Sequence, residues 1–443
     1  MPEGWAWASL SEISNLYTGN SINENEKANK YSNLKEGLFY IATKDIDFEG
    51  KVNYNNGIRI PLSESKFKIA PAESTLLCIE GGSAGRKIGF IDQDVCFVNK
   101  LCCFHSDHLS NLYLFYYLQS RTFIDLFNSN KSGLIGGVSL NLLKSIFIPV
   151  APAIEQDLIS KTIATYLEKI TTLNKDKETL EITIKKAKSK ILDLAIHGKL
   201  VPQDSNDEPA SVLLEKLRAE KEEKIAKGEL KRDKNDSYIY KGSDNCYYQR
   251  FADGHEEDIS EEIPCELPES WAWCRIKDIC TINPKNKLYD NLEVSFIPMT
   301  LIDAGYTNHH GQETRVWKKI KTGFTHFAEN DVAIAKISPC FENKKSVILK
   351  NLKNGYGAGT TELYILRACS IVLPEYLFWI VKTDSFINEG VGNFSGVVGQ
   401  QRLARDIVEN YYIPLPPIKE QKRIVDKILA VFEKLDSIAN NIE

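Results

Sequence analysis

One long internal repeat constrains the fold of this 443-residue chain more than any other feature. Residues 2–7 return as residues 268–273 with one change, Gly4 to Ser270, at an offset of 268 − 2 = 266. The spacing Pro-x-x-Pro-x-x-Glu-Gln that begins at Pro149 returns at Pro414, an offset of 414 − 149 = 265. Because the two offsets agree within one residue, the repeated unit is a whole domain and not a short solenoid element.

The middle of each repeat diverges while its order is kept. The aromatic run at residues 113–116 returns at residues 376–379, an offset of 376 − 113 = 263, so small insertions separate otherwise parallel modules. Hydrophobic residues make up 43% of the chain and charged residues 26%, the balance of a globular protein with buried cores. Strand-like runs at 39–41, 75–79 and 332–335, with helices at about 111–128 and 374–389, predict a mixed α/β interior for each module.

A coiled-coil pattern follows each Pro-x-x-Pro element. Apolar residues recur there in alternating steps of four and three, with only Lys177 polar in the first seam. The seams are Ile159, Ile163, Tyr166, Ile170, Leu173, Leu180, Ile184, Ala187, Ile191 and Leu194, and then Ile424, Ile428, Val431, Leu435, Ile438 and Ile442. We expect the two helices to form an antiparallel coiled coil with a pseudo-twofold axis between the modules; the alternative is that each helix caps its own module. The second helix is much shorter, which leaves part of the first seam for a partner.

The segment between the repeats is predicted to contain little regular structure beyond one helix. The first long helix should end near residues 197–202, where Gly198 and Pro202 stand in the order of a helix stop. A charged helix follows at about 210–227. Residues 228–267 are polar and rich in tyrosine, and they are predicted to be an irregular linker that lies across a surface.

These features together resemble the specificity subunits of Type I restriction-modification systems. The resemblance covers essentially the whole chain, and residues 198–204 and 208–211 look like the central conserved region of that family. It implies two target-recognition domains, at residues 1–150 and 268–413. It also implies a central conserved region at 151–267, with a long helix at 155–196, a short helix and a linker, and a C-terminal conserved helix at 414–443.

The same resemblance implies a function without catalysis. Each recognition domain would read one half of a bipartite site in double-stranded DNA, and the helices would set the spacer and dock two methyltransferase subunits. Restriction subunits, which act as endonuclease and translocase, would complete a bacterial defence complex. Adenine methylation with S-adenosylmethionine, and cleavage with ATP and magnesium, would belong to those partners, so that this chain would need no cofactor.

Loops that combine cations with amide and hydroxyl groups are the candidate DNA contacts, because cations hold phosphates while amides, hydroxyls and arginine read base edges. The net charge of −5 argues against DNA binding unless such groups gather locally. Two loops, residues 128–133 and 393–402, fall at corresponding places after the aromatic helix of each module. The candidates are Arg86, Lys87, Asn128, Asn130, Lys131 and Ser132 in the first module, and Lys318, Lys319, Lys321, Lys344, Lys345, Asn393, Ser395, Gln400, Gln401 and Arg402 in the second.

Catalytic and metal sites find little support in the sequence. Residues 81–87 lack the spacing of a nucleotide-binding loop and are better explained as a tight turn, with or without DNA backbone against it. No Asn/Asp-Pro-Pro-Tyr/Phe tetrapeptide is present to hold a flipped adenine. The group Cys102, Cys103, His105 and His108 matches no common zinc spacing, and the ten scattered cysteines indicate reduced thiols.

The sequence contains no membrane-spanning run and predicts a cytoplasmic protein. Two functions of other classes stay open. One is a self-contained DNA-modifying enzyme with an unrecognised active site, and the other is a coiled-coil scaffold.

Overall fold

The computed structural model describes residues 1–132, 136–229, 231–232, 236–397 and 399–441, which form two compact units. Unit 1 comprises residues 1–175 and unit 2 comprises residues 176–443, so the division falls within the long helix. We call residues 1–150 the first module and residues 268–415 the second module. The boundary predicted at residue 413 falls inside a strand, and the second module therefore continues to Leu415.

The first module contains three small sheets and five helices among its described residues. Its strands are β1 (Ala6–Ser9), β2 (Asn15–Thr18), β3 (Leu38–Ile41), β4 (Arg59–Ile60), β5 (Ile69–Ala70), β6 (Thr75–Cys78), β7 (Ile88–Phe90), β8 (Val95–Phe97), β9 (Leu101–His105) and β10 (Phe147–Val150). Its helices are α1 (Leu10–Ile13), α2 (Glu24–Glu26), α3 (Asn111–Leu118), α4 (Arg121–Ser129) and α5 (Leu140–Lys144), and a π-helical turn covers Lys27–Tyr31. The sheet orders are β1-β10, β2-β9-β6-β7 and β4-β3-β8-β5.

Helices and strands of the linking region follow. They are α6 (Ala153–Ile196), α7 (Ala210–Ala226), β11 (Ser237–Lys241), β12 (Tyr247–Phe251) and β13 (Glu256–Asp258). The two helices end close to where the sequence predicted. The prediction of an irregular linker was wrong, because β11, β12 and β13 form an antiparallel sheet in that order. Its inward side chains alternate with outward tyrosines, a period-two pattern that the polar composition concealed.

The second module repeats the topology of the first. Its strands are β14 (Ala272–Arg275), β15 (Cys280–Ile282), β16 (Glu293–Ile297), β17 (Glu313–Val316), β18 (Thr325–Ala328), β19 (Val332–Ala335), β20 (Ser346–Ile348), β21 (Tyr356–Gly359), β22 (Leu363–Ala368), β23 (Phe394–Ser395), β24 (Arg402–Leu403) and β25 (Tyr412–Leu415). Its helices are α8 (Ile276–Ile279), α9 (Pro374–Ile380), α10 (Asp384–Gly392) and α11 (Arg405–Asn410), before α12 (Ile418–Asn440). Short 3-10 turns cover Met299–Leu301, Trp317–Lys319 and Lys353–Gly355, as one covers Thr43–Asp45 in the first module.

Three sheets of the second module match the three sheets of the first strand for strand. Their orders are β14-β25, β15-β22-β19-β20 and β17-β16-β21-β18, and β23 and β24 form an additional two-stranded sheet. The parallel pair β3–β8 has its counterpart in β16–β21, in sheets that are otherwise antiparallel. The central strands β6 and β19 are buried along their whole length because helices and a neighbouring sheet cover both faces. The predicted mixed α/β fold and internal repeat are confirmed.

Helices α6 and α12 run antiparallel within unit 2. The ammonium group of Lys188 pairs with Asp436 and lies 5.1 Å from the ring centroid of Phe432. Further along the chain, Gln203 Nε2 donates to Glu420 Oε1 over 2.7 Å. Residue numbers therefore increase in one segment as they decrease along α12, which is the antiparallel arrangement. Leu192 and Ala195 share one hydrophobic core with Ile424, Ile428 and Phe432.

Candidate nucleic-acid interface

The two ends of each repeat meet in the fold and hold the module closed. In the first module β1 pairs with β10, in the register Trp7 with Pro149. Trp5 Nε1 donates to Glu155 Oε2 over 2.8 Å, and Tyr113 Oη donates to the Pro149 carbonyl over 2.6 Å. The motifs that reveal the repeat in the sequence are therefore the framework of the module and not its binding residues.

A buried glutamine joins the aromatic helix to the long helix in both modules. In the first module, the Gln156 Oε1 atom accepts from Ser110 N over 3.0 Å, and its Nε2 donates to the Ala151 carbonyl over 2.7 Å. In the second module, Gln421 Oε1 accepts from Leu373 N over 2.8 Å, and its Nε2 donates to the Pro416 carbonyl over 3.0 Å. The same contacts thus orient α3 on α6 and α9 on α12.

Two candidate segments of the first module lie against each other. Gly81 N donates to the Gly136 carbonyl over 3.0 Å, which ties the 81–87 turn to the residues after α4. Gly85 has a φ of +75°, and a Cβ added there would lie 2.6 Å from the Phe127 ring. Lys131 Nζ is 5.5 Å from the centroid of that same ring. The structure therefore brings the turn that carries Arg86 and the loop that carries Lys131 together around one phenylalanine, although 45 positions separate the two cations (131 − 86 = 45).

The second module has an equivalent contact between a turn and the helix before the candidate loop, which we call the candidate corner in each module. Here the phenylalanine lies in the turn and the glycine lies in the helix. Phe341 stands in the 336–345 turn, and a Cβ added at Gly390 would lie 2.4 Å from its ring. Ser338 N donates to the Gln401 carbonyl over 2.9 Å, and Leu403 N donates to the Lys336 carbonyl over 2.8 Å. The turn and the loop at 393–402 thus form one surface, in which Gly390 corresponds to Phe127.

Four of the predicted cations and amides already have hydrogen-bond acceptors within the protein, and they stay predictions as DNA contacts. Lys344 Nζ pairs with Asp384 and donates to the Lys382 carbonyl over 2.8 Å, with its side chain 13% exposed. Lys87 Nζ donates to the Thr43 carbonyl over 3.0 Å and Lys345 Nζ to the Met299 carbonyl over 3.2 Å. Asn130 Nδ2 caps α4 through the Leu126 carbonyl over 2.8 Å. Each donor already has a protein acceptor, which a phosphate would have to replace.

Other candidates are exposed or half-buried and stay predictions as DNA contacts. In the first module Arg86, Asn128 and Ser132 are exposed and Lys131 is half-buried, while Gly133 lies outside the described residues. Lys318 and Lys319 are exposed on the 3-10 turn at Trp317–Lys319, whereas Lys321 Nζ pairs with Asp290 over 2.7 Å. In the second loop Ser395 and Gln400 are exposed, Gln401 is half-buried and Val398 lies outside the described residues. Asn393 Nδ2 donates to the Glu389 carbonyl over 2.9 Å.

Arg402 is held by an acidic partner. Its Nη2 lies 2.8 Å from Glu362 Oε1, and its Nε donates to Oε2 over 3.0 Å, a bidentate pair. The hydrogen bond from Arg402 lowers the pKa of the Glu362 carboxyl group despite partial burial, and Glu362 raises the pKa of the arginine. The pair orients the guanidinium group, but Glu362 also competes with any phosphate or base that Arg402 would bind.

Two lysines beside these loops are not among the candidates that the sequence predicts. Lys100 is exposed, and its carbonyl accepts from Ile79 N over 2.9 Å next to the turn at 81–87. Lys336 lies 5.3 Å from the ring centroid of Tyr364 and begins the equivalent turn of the second module. Each of these lysines is an isolated cation in the sequence. Only an alignment of the two repeats could have indicated that it lies beside a candidate loop.

The predicted apolar seam residues of α6 and α12 are buried or half-buried along part of each helix. Ile184, Ile424 and Ile428 are buried, and Ile159, Ile163, Leu180, Val431 and Leu435 are half-buried. Ile170, Leu173 and Ile438 are exposed, so their place in a helix interface stays a prediction, and Ile442 lies outside the described residues. Ile191 is half-buried while its neighbour Leu192 is buried, as expected where a helix of 3.6 residues per turn drifts relative to a strict heptad.

Within the described ranges there is no group of three or more metal-ligating side chains, and no helix is both long and apolar enough to cross a membrane. One Ser-His-Asp contact occurs: Ser74 Oγ lies 3.1 Å from His105 Nδ1, and His105 Nε2 lies 3.7 Å from Asp107. Ser74 is fully buried and its hydroxyl donates to the Pro71 carbonyl over 2.6 Å, so a substrate could not reach it. Burial raises the pKa of the Cys96 thiol to about 11, which keeps it protonated.

Comparison with known proteins agrees with the duplicated architecture. A family model described as Type I restriction modification DNA specificity domain matches residues 2–183 and 268–443. The Type I restriction enzyme EcoEI specificity subunit of Escherichia coli is 42% identical over 262 residues, 59% of this chain and 40% of that protein. The EcoAI specificity subunit, also of Escherichia coli, is 43% identical over 262 residues, 59% of this chain and 41% of that protein. The chain thus spans about two fifths of the length of these relatives.

More distant relatives cover the whole chain. The EcoKI specificity subunit of Escherichia coli strain K12 is 21% identical over 450 residues, covering 100% of this chain and 85% of that protein. A structure from work on complex assembly and conformational transition of the type I R-M system superposes with a TM-score of 0.61 at 13% identity, covering 100% of this chain and 93% of that one. The HsdS subunit from Thermoanaerobacter tengcongensis gives a TM-score of 0.51 at 14% identity, covering 100% and 91%. These two likenesses show a common fold.

Proposed function

This chain belongs to the family of Type I restriction modification DNA specificity domains, and from that premise we propose that it is the DNA-specificity subunit of a Type I restriction-modification complex. Each module reads one half of a bipartite site in double-stranded DNA. The subunit has no catalytic role of its own and acts in the cytoplasm as part of a bacterial defence system.

One observation carries this proposal: the two modules share a framework and differ in the surface it presents. Gln156 and Gln421 make matching contacts, and so do Tyr113 and Tyr376, whose Oη donates to the Pro414 carbonyl over 2.7 Å. The turns at the candidate corners nevertheless differ, with Arg86 in the first and the bidentate Arg402–Glu362 pair beside the second. A split site with unequal halves needs two readers of one fold with different contact residues.

The local charge of the candidate corners supports DNA binding in spite of the acidic chain. Solvent-accessible cations at Arg86 and Lys131 in the first module, and at Lys318 and Lys319 in the second, supply phosphate contacts. Amide and hydroxyl groups supply base contacts: Asn128 and Ser132 stand in the loop of Lys131, and Ser395 and Gln400 stand in the loop at 393–402 of the second module. Affinity for DNA follows such local contacts and not the net charge of the subunit.

The long helices are the proposed binding sites of the partner subunits. Two methyltransferase subunits dock on α6 and α12, and the exposed seam residues Ile170 and Leu173 support this placement because large apolar side chains that line up on one helix face favour a partner. Restriction subunits add endonuclease and translocase activity. S-adenosylmethionine, ATP and magnesium serve those partners, and this chain binds none of them.

Methylome sequencing with exchanged modules tests the proposal. Cells would express the chain with the methyltransferase encoded beside it, and a second culture would express the methyltransferase alone. We expect a new split motif of adenine methylation, of which exchange of residues 1–150 alters one half and exchange of residues 268–415 alters the other. Soluble, associated proteins without a new motif would refute the assignment and favour a scaffold.

A purified-chain assay separates the proposal from a self-contained enzyme. The chain alone, with S-adenosylmethionine and DNA, should transfer no methyl groups and cut no DNA. Activity of the chain alone would overturn the non-catalytic role.

A further inference from the structure

Two lysines of the second module donate to each other's backbone. Lys344 Nζ donates to the Lys382 carbonyl over 2.8 Å, and Lys382 Nζ donates to the Lys344 carbonyl over 2.9 Å. Lys382 is fully buried, and the side chain of Lys344 is 13% exposed. The two contacts join the 336–345 turn to the segment between α9 and α10. We call Lys344 and Lys382 the lysine pair.

The lysine pair also contacts the loop that precedes it in the second module. Lys382 Nζ donates to the Gly305 carbonyl, and Lys344 Nζ donates to Tyr306 Oη over 3.1 Å. The Tyr306 ring in turn packs edge-on against Phe432 of α12, with ring centroids 5.7 Å apart. Through Tyr306, the lysine pair therefore rests on one of the two long helices.

Asp384, the first residue of α10, carries the contact to the other long helix. Its carboxylate pairs with Lys344 and accepts a hydrogen bond from Ser189 on α6. Burial alone would raise the pKa of the Asp384 carboxyl group, but the hydrogen bonds from Lys344 and Ser189 lower it. A charged carboxylate thus bridges the turn and α6, and hydrogen bonds to charged groups are stronger than neutral ones.

The same turn belongs to the candidate corner of the second module. At its other end, Ser338 N donates to the Gln401 carbonyl over 2.9 Å, which joins the turn to the loop at 393–402. The contacts to α6 and the contacts to the candidate loop therefore come from one short segment. Whatever holds Lys344 on α6 consequently holds the candidate corner on α6 as well.

The first module has a different cation at the place of Lys344. The residue that follows is a lysine in both modules, Lys87 or Lys345, and each donates to the carbonyl of the first residue of a 3-10 turn. Arg86, which precedes Lys87, is therefore the counterpart of Lys344. Arg86 is exposed, whereas Lys344 is nearly covered.

The counterparts of Lys382 and Asp384 also differ. Helices α4 and α10 both follow a hydroxyl side chain that caps them, so Gln119 and Arg121 stand at these two places. Arg121 pairs with Asp125 of its own helix over 2.9 Å. Because an arginine replaces the aspartate, the first module has the opposite charge where the second has its bridge to α6.

We infer that the lysine pair, together with Asp384 and Ser189, consists of positioning residues that hold the candidate corner of the second module in fixed register with α6. This role rests on the proposed DNA function, which assigns the spacer to the long helices. It adds the contacts through which α6 sets the place of the second half-site. Without them, the second module accepts altered bases and altered spacer lengths, and reading of the first half-site is unchanged.

Methylome sequencing of cells that contain the chain and the methyltransferase encoded beside it tests this role. Asp384→Asn removes the charged bridge and keeps the size of the side chain, and Ser189→Ala removes only the bond to α6. Relative to the cognate motif, both should raise methylation severalfold at sites with a changed base in the half that exchange of residues 268–415 assigns to the second module. Sites with a spacer longer or shorter by a single base pair should gain methylation too.

Two substitutions on α6 are matched controls. Ser189→Thr keeps the hydroxyl group and should behave like the unaltered chain. Asp193→Asn removes the same charge one helical turn further on, where the carboxylate pairs with Lys190 over 2.6 Å, and should leave both half-sites stringent. Hydrogen exchange of the 336–345 turn, measured without DNA, should be faster in Asp384→Asn and Ser189→Ala than in either control.

Every other outcome would overturn the positioning role. A uniform fall of methylation at all sites, with unchanged ratios between them, would show that these residues only stabilise the module. Equal relaxation of both half-sites, or faster exchange of the turn with unchanged stringency, would separate the turn from reading of the second half-site. Unchanged exchange would show that the contacts do not hold the turn. An unaltered chain without a split motif would refute the proposed function, and this result is known before any variant is made.

Discussion

The indole Nε1 of Trp5 donates a hydrogen bond to Oε2 of Glu155 across 2.8 Å, although 150 residues separate the two in the chain. The bond joins the opening motif of the repeat to the first turn of α6, and it lies beside the β1–β10 strand pair. It therefore closes the first module at the point where the chain leaves it for the long helix.

Loss of this bond should destabilise the first module. In Trp5→Phe the Glu155 carboxylate loses a donor, for which hydrogen bonds to charged groups suggest a cost of about 1.5–3 kcal/mol in the free energy of unfolding. Trp7→Phe is the matched control, because Trp7 is exposed and makes no comparable bond within the described chain. Chemical denaturation measures both. Equal effects of the two substitutions would show that the hydrogen bond contributes nothing.

Two lysines of the second module should act through phosphate contacts. Lys318→Ala with Lys319→Ala should weaken DNA binding by the assembled methyltransferase and lower the slope of log K against log salt by about 1 for each phosphate that is no longer neutralised. The loss of affinity should be nearly the same for specific and non-specific DNA. Lys224→Ala with Lys231→Ala, at exposed positions of the linking region, removes the same charge and should leave the slope unchanged. An unaltered slope in the first pair would remove this turn from the interface.

Glu362 should restrain Arg402 in the absence of DNA. Glu362→Gln weakens the bidentate pair, so the arginine should bind DNA more tightly and with a steeper salt dependence, whereas Arg402→Gln should do the reverse. Glu409→Gln is the matched control, because it removes the same charge from the neighbouring Arg405–Glu409 pair. If neither Glu362→Gln nor Arg402→Gln changed the affinity, Arg402 would be a structural residue only.

Lys382 should make the stability of unit 2 depend on pH. Its ammonium group is fully buried, and burial together with the nearby charge of Lys344 lowers its pKa from the ordinary 10.5 to about 7. Between these two values the unfolded chain binds more protons at this residue than the folded chain does. The free energy of unfolding should therefore rise as the pH increases from about 7 toward 10.

The measurement is denaturation of the chain and of Lys382→Met across that pH range. The substitution should flatten the rise, whereas Lys427→Met, at an exposed position, should leave it intact. Lys382→Met also leaves the Gly305 and Lys344 carbonyls without their shared donor, so some loss of stability is expected at every pH. An identical pH slope in all three proteins would show that Lys382 is charged in the folded state.

The sequence alone determined the architecture, because the residues that recur in the repeat are the ones that build the framework of each module. Tryptophan, proline, glutamate and glutamine return at nearly constant offsets, since they make the framework contacts of both modules, as Gln156 and Gln421 do. The ends of α6 and α7 were also predicted closely, because Gly198 and the nearby prolines act locally, whereas each of the helices predicted at 111–128 and 374–389 is two helices in the structure. The sheet β11-β12-β13 was missed, since its short strands carry tyrosines and charges that resemble a linker.

Only the tertiary structure decided which side chains are available for binding. Lys344 and Lys318 look alike in the sequence, yet Lys344 pairs with Asp384, forty positions away, while Lys318 is exposed. Trp7 and Trp273 occupy the same place in the repeat, yet one is exposed and the other lies beneath a sheet that begins 273 − 237 = 36 residues before it. Framework contacts recur with local motifs, whereas the partners of a donor or an aromatic ring come from distant segments whose position only the folded chain sets.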